Sequence, residues 1–170
     1  ICSGGLGGGE LGVCVAPTGA GKSMILVHLG SEALKQGKTV IHYTLELRDT
    51  VVARRYDSCI TGYELSSLVK KKAEVLDVVK DIEGTLIVKE YPTKSASVNT
   101  FKSHLKRLQL QGIEPDLVIV DYGDLVRPSV IRKEKRIELE CIYEDLRGMA
   151  QEFDCPIWTA SQTNRSGLNA

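Results

Sequence analysis

Apolar positions along the chain alternate between two rhythms. Residues Leu11–Ala16, Thr39–Thr44, 86–88, 117–120 and 156–161 are short runs with apolar side chains at successive or nearly successive positions. Runs of that length, rich in Val and Ile, predict strands covered on both faces. Between them the spacing lengthens to three and four. Ile25, Leu29 and Ala33 mark one face of a helix over residues 22–36, and Gly37 ends it. Asp49 is placed to cap a helix reaching about residue 60, and a charged helix is expected over residues 64–82. An amphipathic helix over residues 98–111 stops at Gly112, and Ile142, Leu146, Met149, Ala150 and Phe153 recur at helical spacing. Strand and helix in alternation, with strands apolar on both sides, predict an α/β fold: a mostly parallel sheet with helices on both faces. Trp158, in the last run, is expected in the core.

Composition narrows the classes. The 170 residues are 42% hydrophobic and 26% charged, with 22 basic and 22 acidic side chains and a net charge of 0. That balance excludes a uniformly basic nucleic-acid coat but leaves room for a local basic patch. No run approaches the roughly 18 apolar residues of a membrane span. The five cysteines are odd in number, lack CxxC spacing and form no metal-ligand pattern with the three histidines, so buried thiols in a reducing compartment are expected. The chain starts without Met inside a glycine-rich stretch, shows no signal peptide, and stops just after the last strand. It is therefore read as one domain over residues 1–170, cut from a longer protein at both ends.

The candidate chemistry begins at Ala16-Pro17-Thr18-Gly19-Ala20-Gly21-Lys22-Ser23. This is the phosphate-loop pattern GxxxxGK[ST], with Ala16 at the first Gly position, between a predicted strand and a predicted helix. Gly19 and Gly21 let the backbone wrap closely, so that N–H groups face phosphate oxygens. The helix start adds the positive end of a dipole. Lys22 is expected to reach the β- and γ-phosphates, and the Ser23 hydroxyl can ligate Mg²⁺. The run Leu117–Asp121 delivers a carboxylate, Asp121, to the end of a strand, where it can hold the water shell of the same ion. Hydrolysis also requires a group that positions water. Tyr122, directly after Asp121, cannot serve, which leaves Glu46 at the end of the neighbouring strand, with Asp124 as its competitor.

Taken together, APTGAGKS, HYTLELRD, LVIVDYGDL and LRGMAQEFDCPIWTASQTNRSG resemble the RecA-fold ATPase core of DnaB-like replicative helicases, phage versions included, over residues 5–167. Such cores read as a phosphate loop, then S-L-E-M, I-D-Y-L-Q-L and a terminal S-Q-L-N-R. The resemblance implies ATP and Mg²⁺ as ligands and Glu46 as the catalytic Glu of S-L-E-M. It further implies Arg55 near the nucleotide, Asp121 as the Walker B acid, and Gln162 as the sensor of the γ-phosphate, followed by Asn164 and Arg165. It implies a hexameric ring on single-stranded DNA, in the cytoplasm of a bacterial or phage-infected cell. The arginine finger and most DNA contacts then lie beyond Ala170. Gly123-Asp124 replaces the usual L-Q. A RecA- or KaiC-like ATPase without helicase activity is the alternative. The strongly basic stretch, Arg127 to Arg136, holds Arg127, Arg132, Lys133, Lys135 and Arg136 against Glu134. It falls where the family places a loop facing the channel, and it suits a phosphate backbone without base specificity, for it has no aromatic to stack on bases. A merely solvated helix start is the competing reading of that stretch.

Overall fold

The computed structural model describes residues 5–163. Strands β1 (Leu11–Ala16), β2 (Thr39–Thr44), β3 (Thr85–Glu90), β4 (Leu117–Asp121) and β5 (Ile157–Gln162) form a sheet in the order β1-β5-β4-β2-β3, with every neighbouring pair parallel. The helices are α1 (Lys22–Lys35), α2 (Asp49–Thr61), α3 (Lys72–Val79), α4 (Val98–Leu110) and α5 (Lys135–Glu152). A 3₁₀ turn, Gly123–Leu125, follows β4. No described helix is long and apolar enough to cross a membrane.

The period-two alternation of the strands sorts their side chains between two cores. Val40, Leu117, Ile119 and Ala160 pack against Leu26, Val27 and Leu34 of α1 and Val52 and Tyr56 of α2. Ile41, Tyr43, Val118, Val120 and Ile157 pack on the other side, against Phe101 and Leu105 of α4 and Ile142, Leu146 and Met149 of α5. Because Asp121 lies two positions beyond Ile119, it falls on the face that carries α1. The register aligns Thr44 with Asp121 and Ala16 with Gln162, so the carboxyl ends of four strands meet along one edge of the sheet.

Five expectations are corrected. On α1 the buried face is Leu26, Val27, Gly30, Ser31 and Leu34; Ile25 is exposed, and Leu29 and Ala33 are half-buried. The charged helix over residues 64–82 exists only as α3; residues 65–71 are turns, in which the Ser67 hydroxyl donates to the Glu64 carbonyl and its amide bonds the same group. Serine hydroxyls offer the backbone such alternatives to a helix. Asp49 is the first residue of α2, not its cap; Arg48 holds the cap position, and the Asp49 carboxylate accepts from the Thr50 amide. Trp158 is half-buried, its ring lying over Gly12, where a Cβ would come within 2.5 Å of it. Of the described cysteines only Cys155 is buried; Cys14, Cys59 and Cys141 are half-buried.

Candidate functional site

The turn from β1 into α1 owes its shape to its glycines. Gly19 and Gly21 have φ of +78° and +90°, a region that glycine enters without steric penalty, and nothing stands within 4 Å of where a Cβ would be. Gly21 occupies the cap position of α1, and no side chain caps that helix. α4, by contrast, starts with a Ser97–Thr100 capping box. The first amides of α1 are therefore left to point, with the helix dipole, into the space above the loop.

That space is a cleft of about 270 Å³ lined by Thr18, Gly19, Gly21, Lys22, Ser23, Met24, Glu46, Leu47, Arg55, Tyr122 and Gln162. Lys22 is buried along most of its length, and its ammonium donates to the carbonyls of Ala16 (3.1 Å) and Pro17 (3.0 Å). An ammonium has three N–H donors, so one remains for an anion. The Ser23 hydroxyl donates to Asp121 Oδ1 at 3.1 Å. Asp121 Oδ2 is buried and without a hydrogen-bond partner among the described residues. Burial raises the Asp121 carboxyl above the usual range; the Ser23 bond opposes this, Glu46 reinforces it, and Arg55 and Lys22 oppose it. An orphaned buried carboxylate oxygen beside a serine hydroxyl is an oxygen donor set that a hard divalent cation fits. The glycine cradle fits a polyphosphate in the same way.

Glu46 is exposed just beyond β2, on the cleft wall. Arg55 reaches the cleft from α2. Gln162 closes the far side: its amide nitrogen donates to the Thr18 hydroxyl, and its amide oxygen accepts from Tyr122 at 3.2 Å. The Tyr122 phenol is kept protonated by burial and by the surrounding carboxylates of Glu46, Asp124 and Asp121, so it remains a donor. Tyr122 is thus part of the wall, although unsuited to act as a base. The peptide bond between Asp121 and Tyr122 is cis. Asp124 lies on the other side of Tyr122, in a neighbouring cavity of about 450 Å³ shared with Lys94, Lys135, Arg136 and Gln162.

The basic stretch is exposed at Arg127, Arg132, Lys133 and Arg136. Residues 127–134 are irregular, and only Lys135 and Arg136 belong to the first turn of α5. Arg127 lies on a groove of about 1000 Å³ beside the start of α4. Asn164 and Arg165 fall outside the described residues. Two residues beside the site escape a reading of the sequence: Tyr143, whose hydroxyl donates to Asp124 at 2.6 Å, and Lys94. No local motif marks either.

A parallel sheet with a phosphate-type loop, a buried acid on the adjacent face and a carboxylate across the cleft defines the RecA-like class of nucleotide-binding α/β proteins. The model of the DnaB-like helicase C terminal domain family matches residues 2–169, and the chain belongs to that family. This places it with the DnaB-like proteins in preference to the RecA- or KaiC-like alternative. The chain is 31% identical to the DnaB-like replicative helicase of Enterobacteria phage T4, aligning over all of this chain (100%) and 38% of that protein. It is 28% identical to the replicative DNA helicase DnaB of Mycoplasma genitalium, over 92% of this chain and 36% of that one. The chain therefore spans little more than a third of these relatives. Among solved structures, a DnaB-like replicative helicase described with its interactions with primase superposes with a TM-score of 0.81 at 16% identity, over 96% of this chain and 41% of that one. A solved ATPase domain superposes with a TM-score of 0.82 at 16% identity, over 98% and 61%. At these identities the structural likeness speaks to the fold.

Proposed function

We propose that this chain is the ATP-hydrolysing motor core of a ring-shaped replicative helicase that moves on single-stranded DNA. The observation that carries the proposal is the convergence of Lys22, Ser23, Glu46 and Asp121 on one cleft at the uncapped start of α1. The loop amides over residues 16–23 and the Lys22 ammonium bind the triphosphate and neutralise charge that develops on the γ-phosphoryl oxygens. Ser23 and Asp121 would hold Mg²⁺, which would supply Lewis-acid stabilisation of phosphate charge. Glu46 orients a water in line with the γ-phosphorus and takes its proton. Arg55 adds positive charge beside the nucleotide. Gln162, bonded to Thr18, reads the occupancy of the γ-position.

The exposed cations Arg127, Arg132, Lys133 and Arg136 supply charge for a DNA backbone, and Asn164 and Arg165 are further candidates for contact with DNA. A hexamer places each cleft against a neighbour that contributes an arginine. Relatives from a phage and a bacterium support action in the cytoplasm of bacterial or phage-infected cells. The test is ATP hydrolysis and fork unwinding by the full-length protein, with and without single-stranded DNA. DNA-stimulated hydrolysis with one direction of unwinding is expected. Hydrolysis indifferent to DNA, or helical filaments in place of closed rings, contradicts the proposal.

A further inference from the structure

Asp124 stands where the family pattern carries Gln, and Glu46 rather than Asp124 serves as the base. The surroundings of Asp124 give it other work. Oδ1 accepts from the Tyr143 hydroxyl at 2.6 Å and from the Ser161 hydroxyl at 3.1 Å, and Oδ2 accepts from the Gln162 amide at 2.9 Å. Both oxygens of this half-buried carboxylate are thus occupied by three donors from β5 and α5. Burial and the bond to Asp124 itself hold the Tyr143 phenol in its protonated, donating form.

The main chain of the same residue leads in the opposite direction. Its carbonyl accepts from Lys94 Nζ at 2.8 Å, and Lys94 also donates to the Val126 carbonyl at 2.9 Å. Val126 is fully buried, and Arg127, the next residue, opens the exposed basic stretch. One residue therefore connects two arms. Its carboxylate fixes the backbone of Gln162, whose side chain touches Thr18 of the phosphate loop, and its carbonyl fixes the root of the basic segment.

We infer that Asp124 is a positioning residue that clamps Gln162 against the phosphate loop and ties it to the basic segment, so that hydrolysis in the cleft and binding of a nucleic-acid backbone are coupled. This rests on the motor reading of the cleft. Asn at this position keeps the shape but turns one acceptor oxygen into an NH₂ group that meets a donor, either the Gln162 amide or the Tyr143 hydroxyl. Phe at position 143 deletes the shortest of the three bonds.

The experiment measures steady-state ATP hydrolysis by the full-length protein, with and without single-stranded DNA. The variants are Asp124→Asn, Tyr143→Phe, Gln162→Ala and the double variant Asp124→Asn/Gln162→Ala. Asp124→Asn and Tyr143→Phe are expected to lower the DNA stimulation of kcat by about tenfold while KM for ATP stays within about twofold. Asp124→Asn is expected to add nothing to Gln162→Ala, because residues acting as one unit are non-additive. Unchanged stimulation in Asp124→Asn overturns the clamp, and so do losses that multiply in the double variant. If Asp124→Asn fails to fold, Tyr143→Phe carries the same expectation and the same refutation. A wild-type protein that DNA does not stimulate overturns the motor reading and the clamp with it. A stimulated wild type with an equally stimulated Asp124→Asn overturns the clamp alone.

Discussion

Glu46 and Asp124 carry the same functional group and flank Tyr122, yet their surroundings differ. Asp124 is bonded at both oxygens, whereas Glu46 is exposed on the cleft wall, where a water can approach it. Glu46→Gln is expected to retain ATP binding and to lower kcat by about 10² or more, the usual range for a lost general base; single-turnover hydrolysis checks it, and normal turnover contradicts the assignment. The sequence preferred Glu46, with Asp124 as its competitor, but it held no sign of the donors that occupy Asp124, because Tyr143, Ser161 and Gln162 lie far away along the chain. The phosphate loop was legible because its residues are contiguous. His42 offers a second test at this scale. It is buried on β2, Nδ1 shares a hydrogen bond with the Tyr56 hydroxyl at 2.9 Å, and burial, with Arg55 adding to it, depresses the imidazole to about 3. A histidine lowered in the folded state gives stability that is present above its ordinary value near 6.5 and is lost as pH falls below that, since the unfolded chain takes up the proton first. Stability is therefore expected to fall by about 1.4 kcal/mol for each pH unit below roughly 6.5. Urea unfolding at about pH 7 and about pH 5.5 checks this, and His42→Gln should remove most of the slope. His104, also lowered by burial, adds in the same direction.

At the scale of elements, two helix starts differ: α4 carries a capping box, and α1 starts at Gly21 without a side-chain cap. Strand and helix order followed directly from the apolar rhythm, since strands apolar on both faces and helices with one apolar stripe leave different signatures. The segment over residues 64–82 misled because charge at helical spacing also fits a solvated turn. Ser67 there bonds Glu64, and Lys71 rests 4.0 Å over the Tyr63 ring, and neither interaction has a periodic signature. The packing of α1 on α2 is close. A Cβ on Gly30 would overlap the Tyr56 ring and hydroxyl, the same hydroxyl that bonds His42. Gly30→Ala is therefore expected to destabilise the fold by about 1–3 kcal/mol, as overpacking does. Thermal unfolding reads this directly, and an unchanged midpoint would show that the two helices part freely.

At the scale of the whole molecule, the site is a product of strand order. The arrangement β1-β5-β4-β2-β3 seats the acid of β4 and the glutamine of β5 beside the loop that leaves β1. No local pattern encodes that adjacency. The parts were legible one by one; the gathering of ligands at the carboxyl ends of parallel strands, and the resemblance to the family, supplied the expectation of how they meet. The same chain path leaves the basic segment exposed on the far side of Asp124. If that segment tracks a phosphate backbone, replacing Arg132 and Lys133 together with Ala should weaken single-stranded DNA binding equally across sequences. It should also flatten the salt dependence by about 0.7 in log–log slope for each phosphate no longer neutralised; an unaltered slope would leave the segment as a solvated helix start. All of this depends on a triphosphate seated over the turn from β1 into α1. The most direct check is calorimetric titration of a non-hydrolysable ATP analogue with Mg²⁺ into the wild-type protein and into Lys22→Ala. The account predicts saturable binding to the wild type and a loss of at least about 100-fold in Lys22→Ala, or about 2.7 kcal/mol. Equal affinity in the two proteins would contradict it.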